Sequence, residues 1–302
     1  MRRAGVKKRF LTINKNDDDE DERITFCYCE RGSKDSHKPT LVFIHGFSSD
    51  KHTWLTVIKN IPHSFHCIAV DMPGHGETTG FSEEQVTADN LVDNLKLFLD
   101  ELNLNESICL VGTSMGGSVV AMFAAKYPSY VKMICVLAPV PPGEEYETEM
   151  IQQIRSGTYN VLLPETHEQF YATADAMTTK KLYLRRLLAN GYFKTRLPTL
   201  DHHKKILQLA FENDYPNLEQ SYSQLKDFTC PSLIIWGRKD QLCAVEGAYY
   251  FSNLIPKSEV ILFDDCGHLI TNDKPKETAK SIVQFLKENH SSEEDSKTDT
   301  NS

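Results

Sequence analysis

No run of apolar residues in this 302-residue chain approaches the roughly 20 needed to cross a bilayer. The N-terminus also lacks the unbroken apolar core of a secretory signal. Positive charge is not in excess: 33 Lys and Arg against 42 Asp and Glu leave a formal net charge of -9, which argues against nucleic acid as the main partner. The eight cysteines (Cys27, Cys29, Cys67, Cys109, Cys135, Cys230, Cys243 and Cys266) contain no C-x-x-C pair, and several fall in apolar runs. They read as small apolar side chains in a reducing, intracellular setting, with neither a disulfide framework nor a zinc site expected. No internal repeat is evident.

What is present is an ordinary globular composition, 40% hydrophobic and 25% charged, with chain enough for one α/β domain carrying an insertion or for two small domains. Charge is unevenly spread. Arg2, Arg3, Lys7, Lys8 and Arg9 form a basic start, and an acidic run follows from Asp17 to Glu22. Such runs predict a solvated, structureless arm over residues 1–23, and the Ser/Asp/Glu/Thr tail over 290–302 predicts the same. A basic arm resting on an anionic membrane surface is the sharper alternative for the start.

Between these ends, buried strands are expected at Ile24 to Glu30, Leu41 to Ile44, His66 to Val70, Ile108 to Val111, Met133 to Leu137, Pro231 to Trp236 and Val260 to Phe263. Helical periodicity runs through Glu83 to Leu102, Ser118 to Tyr127 and Pro275 to about Glu288. Strands alternating with helices predict a mostly parallel sheet covered on both faces. The alternation breaks at Pro139-Val140-Pro141-Pro142-Gly143, and residues 144–228 are helical and polar-rich, with Asp201 placed to cap one helix. The expected layout is a core over 24–143 and 229–289, with a helical cap over 144–228 inserted above the strand ends.

The most informative stretch is Gly112-Thr113-Ser114-Met115-Gly116, lying between an expected strand and an expected helix. A G-x-S-x-G pattern alone arises by chance in roughly one chain in ten of this length. In strand–turn–helix context it is a nucleophile elbow, in which a strained serine is raised above the sheet edge and the glycines, here Gly112 and Gly116, avoid collision with neighbouring backbone.

A serine hydroxyl needs an imidazole to take its proton, and the imidazole needs a carboxylate to fix its tautomer. Asp240 follows the strand ending at Trp236, and His268 follows the strand ending at Phe263, so Ser114, Asp240 and His268 are the candidate catalytic residues, in the chain order this arrangement requires. Asp264 and Asp265 compete with Asp240 but lie too close to His268 in sequence to reach the far side of its ring. Ten other histidines compete with His268, several of them in polar loops. The oxyanion donors expected are the N–H groups of Met115, directly after the nucleophile, and of Phe47, in the turn His45-Gly46-Phe47. Asp71, in Asp71-Met72-Pro73-Gly74-His75-Gly76, reads as a structural turn residue bonding backbone amides.

Taken together, the His45-Gly46-Phe47, Asp71 to Gly76, Gly112 to Gly117 and Gly267-His268 motifs resemble those of the α/β-hydrolase superfamily, in its lidded branch. Within it, the stretches Phe43 to Ser48, Leu110 to Gly117 and Ile234 to Gln241 are similar to a group of monoacylglycerol lipases. The resemblance implies a serine hydrolase of monoacylglycerols and related lysolipids working at a membrane surface, needing neither cofactor nor metal. That group carries an N-terminal membrane helix, and this chain starts at the basic segment where such a helix would end. The segment Thr179 to Leu188, where leucines alternate with Lys180, Lys181, Arg185 and Arg186, reads either as a basic amphipathic helix meeting a bilayer or as an ordinary cap helix. Rival readings are a carbon–carbon bond hydrolase of ring-cleavage products with a similar elbow, and a low-turnover ligand-binding protein on the same fold. Halide and epoxide chemistry is disfavoured because such enzymes generally place an aspartate where Ser114 stands.

Overall fold

A computed structural model describes residues 4–14, 23–35, 37–180 and 186–298. Eight strands form one sheet: β1 (Lys7–Asn14), β2 (Arg23–Arg31), β3 (Thr40–Ile44), β4 (Cys67–Val70), β5 (Ile108–Thr113), β6 (Val131–Leu137), β7 (Ser232–Gly237) and β8 (Ser258–Phe263). Their order across the sheet is β1-β2-β4-β3-β5-β6-β7-β8; β1 and β2 pair antiparallel, as do β2 and β4, and every other neighbour is parallel.

Every residue of β3, β4 and β5 is buried, which requires cover on both faces of the sheet. The cover comes from α1 (Leu55–Ile58), α2 (Ala88–Glu101) and α3 (Met115–Lys126), and from α9 (Gly247–Leu254), α10 (Ile270–Asp273) and α11 (Pro275–Thr298). Helix α1 packs on α11, α2 on α3, and α9 on β7 and β8. Between β6 and β7 lie α4 (Glu149–Arg155), α5 (His167–Met177), α6 (Arg186–Arg196), α7 (Leu200–Leu209) and α8 (Leu218–Tyr222), with no strand among the described residues of the insertion.

Two terminal expectations are corrected. Residues 7–14, read as part of a structureless arm, form β1, because Leu11 and Ile13 alternate with polar residues and turn toward the sheet while the basic side chains stay outside. Helix α11 runs on to Thr298, through most of the stretch read as a structureless tail; once nucleated on a packed segment, a helix extends through Glu, Lys and Ser at little cost. A smaller correction concerns α7: Asp201 sits in its first turn, and Thr199 holds the N-cap position.

Asp71, at the end of β4, accepts from the Lys51 and Glu77 amides at 2.7 and 2.8 Å, and its Oδ2 also takes a 2.6 Å bond from the Lys51 ammonium. The same ammonium donates to Glu77 at 2.8 Å, and the side chains of Lys51 and Asp71 are both wholly buried. The oxygens of Asp71 and Glu77 and the Cys27 thiol lie within 4.8 Å of one another, and the acidic pair is balanced by Lys51 together with Lys8, which meets Glu77 at 2.8 Å. Removing one charge of such a buried pair strands the other. Asp71→Asn is therefore expected to lower unfolding free energy by about 3 kcal/mol in urea titration, a loss under about 1 kcal/mol contradicting the role given to the pair.

Candidate active site

Sequence order changes direction at β3. The chain passes from β3 to β4 on one side and then to β5 on the other, so a crevice opens at the carboxyl ends of β3 and β5, where open α/β sheets bind ligands. Ser114 stands on that edge, between β5 and α3, with φ 55° and ψ -125°. A non-glycine residue held there carries about 1–3 kcal/mol of strain and persists only where its surroundings over-determine it. They do so here. A Cβ on Gly112 would lie 2.1 Å from the Gly116 carbonyl oxygen, and one on Gly116 would lie 2.4 Å from the carbonyl oxygens of Ile44 and His45. The elbow is thus packed backbone against backbone, and the Ser114 N–H is tied to the Leu137 carbonyl of β6 at 2.8 Å.

The turn after β3 crosses directly above this serine. A Cβ on Gly46 would sit 3.2 Å from the Ser114 Cβ. His45 braces the turn: its Nδ1–H donates to the Gly46 carbonyl at 2.8 Å and its Nε2 accepts from the Met72 amide at 3.0 Å, a pattern that requires a neutral ring. Burial lowers the His45 pKa below its ordinary value, in agreement with that tautomer. The amides of Phe47 and Met115 make no hydrogen bond among the described residues, and both residues line the same cavity as Ser114.

Asp240 follows β7 and His268 follows β8. The His268 Nδ1–H donates to Asp240 Oδ2 at 2.8 Å, and the other oxygen of Asp240 accepts from the Leu242 and Cys243 amides, each at 2.9 Å. The Asp240 side chain is fully buried and that of His268 nearly so. With Nδ1 donating, Nε2 is left as the proton acceptor. The rival aspartates face solvent: Asp264 pairs with Arg238 and Asp265 with Lys239. The Ser114 hydroxyl makes no hydrogen bond among the described residues, a resting geometry common where the catalytic bond tightens only on substrate.

An apolar cavity of about 130 Å³ opens beside Ser114. Its walls come from the core, including Leu91, Val119 and Met122, and from the cap, including Ile151, Ile154, Ile206 and Leu207. Such a lining holds an alkyl chain by burial alone. The basic stretch Thr179 to Leu188 falls largely outside the described residues.

One buried carboxylate escaped the sequence reading. Asp273, in α10, accepts from the Gly267 amide at 2.8 Å, from the Thr179 amide at 3.0 Å, and from the hydroxyls of Thr178 and Thr179. The Leu269 amide also donates to the Met177 carbonyl at 2.8 Å. The loop carrying His268 is therefore fastened to the end of cap helix α5. The only hint in the sequence is an acid five residues after His268, near a Thr-Thr step 94 residues earlier, and nothing local joins the two.

The model of the alpha/beta hydrolase fold family matches residues 39–275. Human monoacylglycerol lipase ABHD6 is 34% identical over 92% of this chain and 84% of its own length. Lipase 1 of Psychrobacter immobilis is 28% identical over 81% of the chain and 76% of its own. A crystal structure of a membrane phospholipase A superposes with a TM-score of 0.83 at 22% identity, covering 94% of this chain and 87% of the other, a likeness of fold.

Burial alone would raise the pKa of Asp273, but its hydrogen bonds outweigh that and hold it below the ordinary carboxylate value. Its stabilising contribution is therefore present above the unfolded-state pKa of about 3.9 and is lost as pH falls through the lower folded value. Asp273→Asn should cost about 1–3 kcal/mol at neutral pH, with the gap from wild type closing below about pH 4. Urea titrations across pH check this, and a gap independent of pH contradicts it.

Proposed function

The chain belongs to the alpha/beta hydrolase fold family, and from that premise we propose that it is a serine hydrolase of lipid carboxylic esters, with the activity of a monoacylglycerol lipase. The observation that carries the reading is the fully buried Asp240 bonded to His268 on the strand edge that also raises Ser114 beside an apolar cavity. The naming of the human relative, similar over nearly the whole chain, supports the substrate class.

Ser114 Oγ attacks the ester carbonyl carbon while His268 Nε2 takes its proton. Negative charge gathers on the carbonyl oxygen, where the Phe47 and Met115 amides, left without internal partners, receive it. The N-terminus of α3 points at the same place and favours that charge. The tetrahedral adduct collapses, the bond to the glycerol oxygen breaks, and His268 returns the proton to that oxygen. Water, deprotonated by His268, then attacks the acyl-serine; the bond to Ser114 Oγ breaks, His268 returns the proton to Oγ, and the fatty acid leaves. Throughout, Asp240 holds the ring and balances the imidazolium. The cavity takes the acyl chain, whose burial contributes about 0.8 kcal/mol per methylene. A basic cap segment around Thr179 to Leu188 would suit contact with the surface of an anionic bilayer.

A hydrolysis screen over monoacylglycerols, lysophospholipids and short aryl esters tests the reading. Monoacylglycerols should be turned over, and Ser114→Ala should lose about 10⁴-fold or more in kcat. Asp240→Asn should lose about 10³- to 10⁴-fold, with Asp265→Asn staying within about three-fold of wild type. Reversed effects of the two aspartates would overturn the choice of acid, and activity on dienoic keto acids with none on esters would overturn the reaction.

A further inference from the structure

The turn above Ser114 is held from the cap at two points. Arg196, the last residue of α6, donates from Nη2 to the Ser48 hydroxyl oxygen at 2.7 Å, a charge-assisted bond. His203, on α7, packs against the Phe47 ring at 5.7 Å between centroids and 69° between planes, and His75 meets the same ring at 5.5 Å. Ser48 itself has φ 50°. A serine pays for that left-handed backbone unless something fixes it. Its backbone conformation orients the Phe47–Ser48 peptide unit, and the Phe47 N–H sits one unit further back, in Gly46–Phe47, so it is positioned through the Phe47 Cα that the two units share.

We propose that Arg196 is a positioning residue for the reaction: by gripping Ser48 from the cap it fixes the turn that aims the Phe47 amide at the reacting carbonyl oxygen. Docking of the cap and assembly of the oxyanion hole are then one event. The inference rests on the reading of Phe47 as an oxyanion donor given above. The geometry gives it a physical basis at both ends of the turn. Gly46 packs closely on Ser114, where a Cβ would sit 3.2 Å from the Ser114 Cβ, so the turn is pinned there by contact. Ser49 closes it with a hydrogen bond from its N–H to the Gly46 carbonyl at 3.3 Å, and its hydroxyl meets that of Thr53 at 2.9 Å. Ser48, between these pins, takes its side-chain bond from Arg196.

The full chain is assayed on a short aryl ester, which keeps acyl-chain contacts with the cap out of the measurement. Arg196→Ala and Ser48→Ala should each lower kcat by about ten-fold, with KM within about two-fold, the pattern of a misaimed donor. Because one residue acts through the other, the double variant should lose no more than either single one. Arg196→Lys, which retains a donor, should recover part of the loss. The rate at which a fluorophosphonate labels Ser114 should fall in the same ratio, since that reaction uses the same hole. Multiplying losses in the double variant, an effect confined to KM, or unchanged kcat in both single variants overturns the proposal. Should Arg196→Ala fail to fold, by circular dichroism, Ser48→Ala and Arg196→Lys carry the same comparison. Wild-type protein whose Ser114 is never labelled would instead sink the serine-hydrolase reading, whatever Arg196 does.

Discussion

Ser114 can hold its left-handed backbone only because the chain around it approaches at backbone contact. The β3 carbonyls press on Gly116, the first turn of α3 presses on Gly112, and the turn after β3 presses on the serine itself through Gly46. These contacts are possible because β3 and β5 lie side by side in parallel register, Ile44 opposite Gly112. The strained residue and the turn that supplies a candidate oxyanion donor are therefore one packing unit. Parallel pairing also places the ends of β7 and β8 on the same edge, and with them Asp240 and His268. Sheet topology, not local sequence, is what gathers residues separated by more than a hundred positions.

The cap is usually pictured as a cover over such an edge. Here it is also a structural member of the site. At one end of its central stretch, Thr178 and Thr179 bond Asp273 and hold the loop of His268; at the other, Arg196 bonds Ser48 beside Phe47. Further bonds run from Thr148 to the Leu242 carbonyl next to the Asp240 turn, at 2.9 Å, and from Tyr222 to the Val140 carbonyl at 3.0 Å. The loops of Asp240, His268 and Phe47 thus each lean on the insertion, whereas the Ser114 elbow is tied to β6. The apolar cavity follows from the same arrangement, since cap residues close it over a floor that includes α2 and α3.

How much of this could be read from sequence depends on whether the signal is local. The central strands announce themselves as unbroken apolar runs because they are covered on both faces, and the elbow is legible because glycine is obligatory where backbones touch. Strand β1 was hidden because it is an edge strand: only Leu11 and Ile13 turn inward, and the lysines and arginine beside them look like a solvated arm. Asp240 could be separated from Asp265 because Asp265 lies too close to His268 in sequence to reach the far side of its ring, and the surface ion pair of Asp265 with Lys239 fits that separation. Asp273 and Arg196 could not be found this way. Their partners lie 94 and 148 residues away, and a carboxylate buried on amides and hydroxyls, with no cation, leaves no pattern in the chain.

Locality also bears on which imidazole among several is suited to act as the base in the proposed reaction. His45, His75 and His203 all crowd the Phe47 turn, His75 stacking on His203 at 5.2 Å. Burial pushes the His203 pKa down to about 4 and that of His75 well below its ordinary value. His75 donates from Nδ1 to the Pro73 carbonyl at 3.0 Å and buries its Nε2 without a partner, which a neutral ring tolerates far better than a charged one. These rings therefore pack as neutral aromatics at physiological pH and place no competing positive charge against the turn. None of the three is hydrogen-bonded, among the described residues, to a carboxylate that would stabilise an imidazolium. Among the described residues, His268 is the histidine bonded to a wholly buried carboxylate, which in the proposed reaction is the countercharge for a proton taken from Ser114.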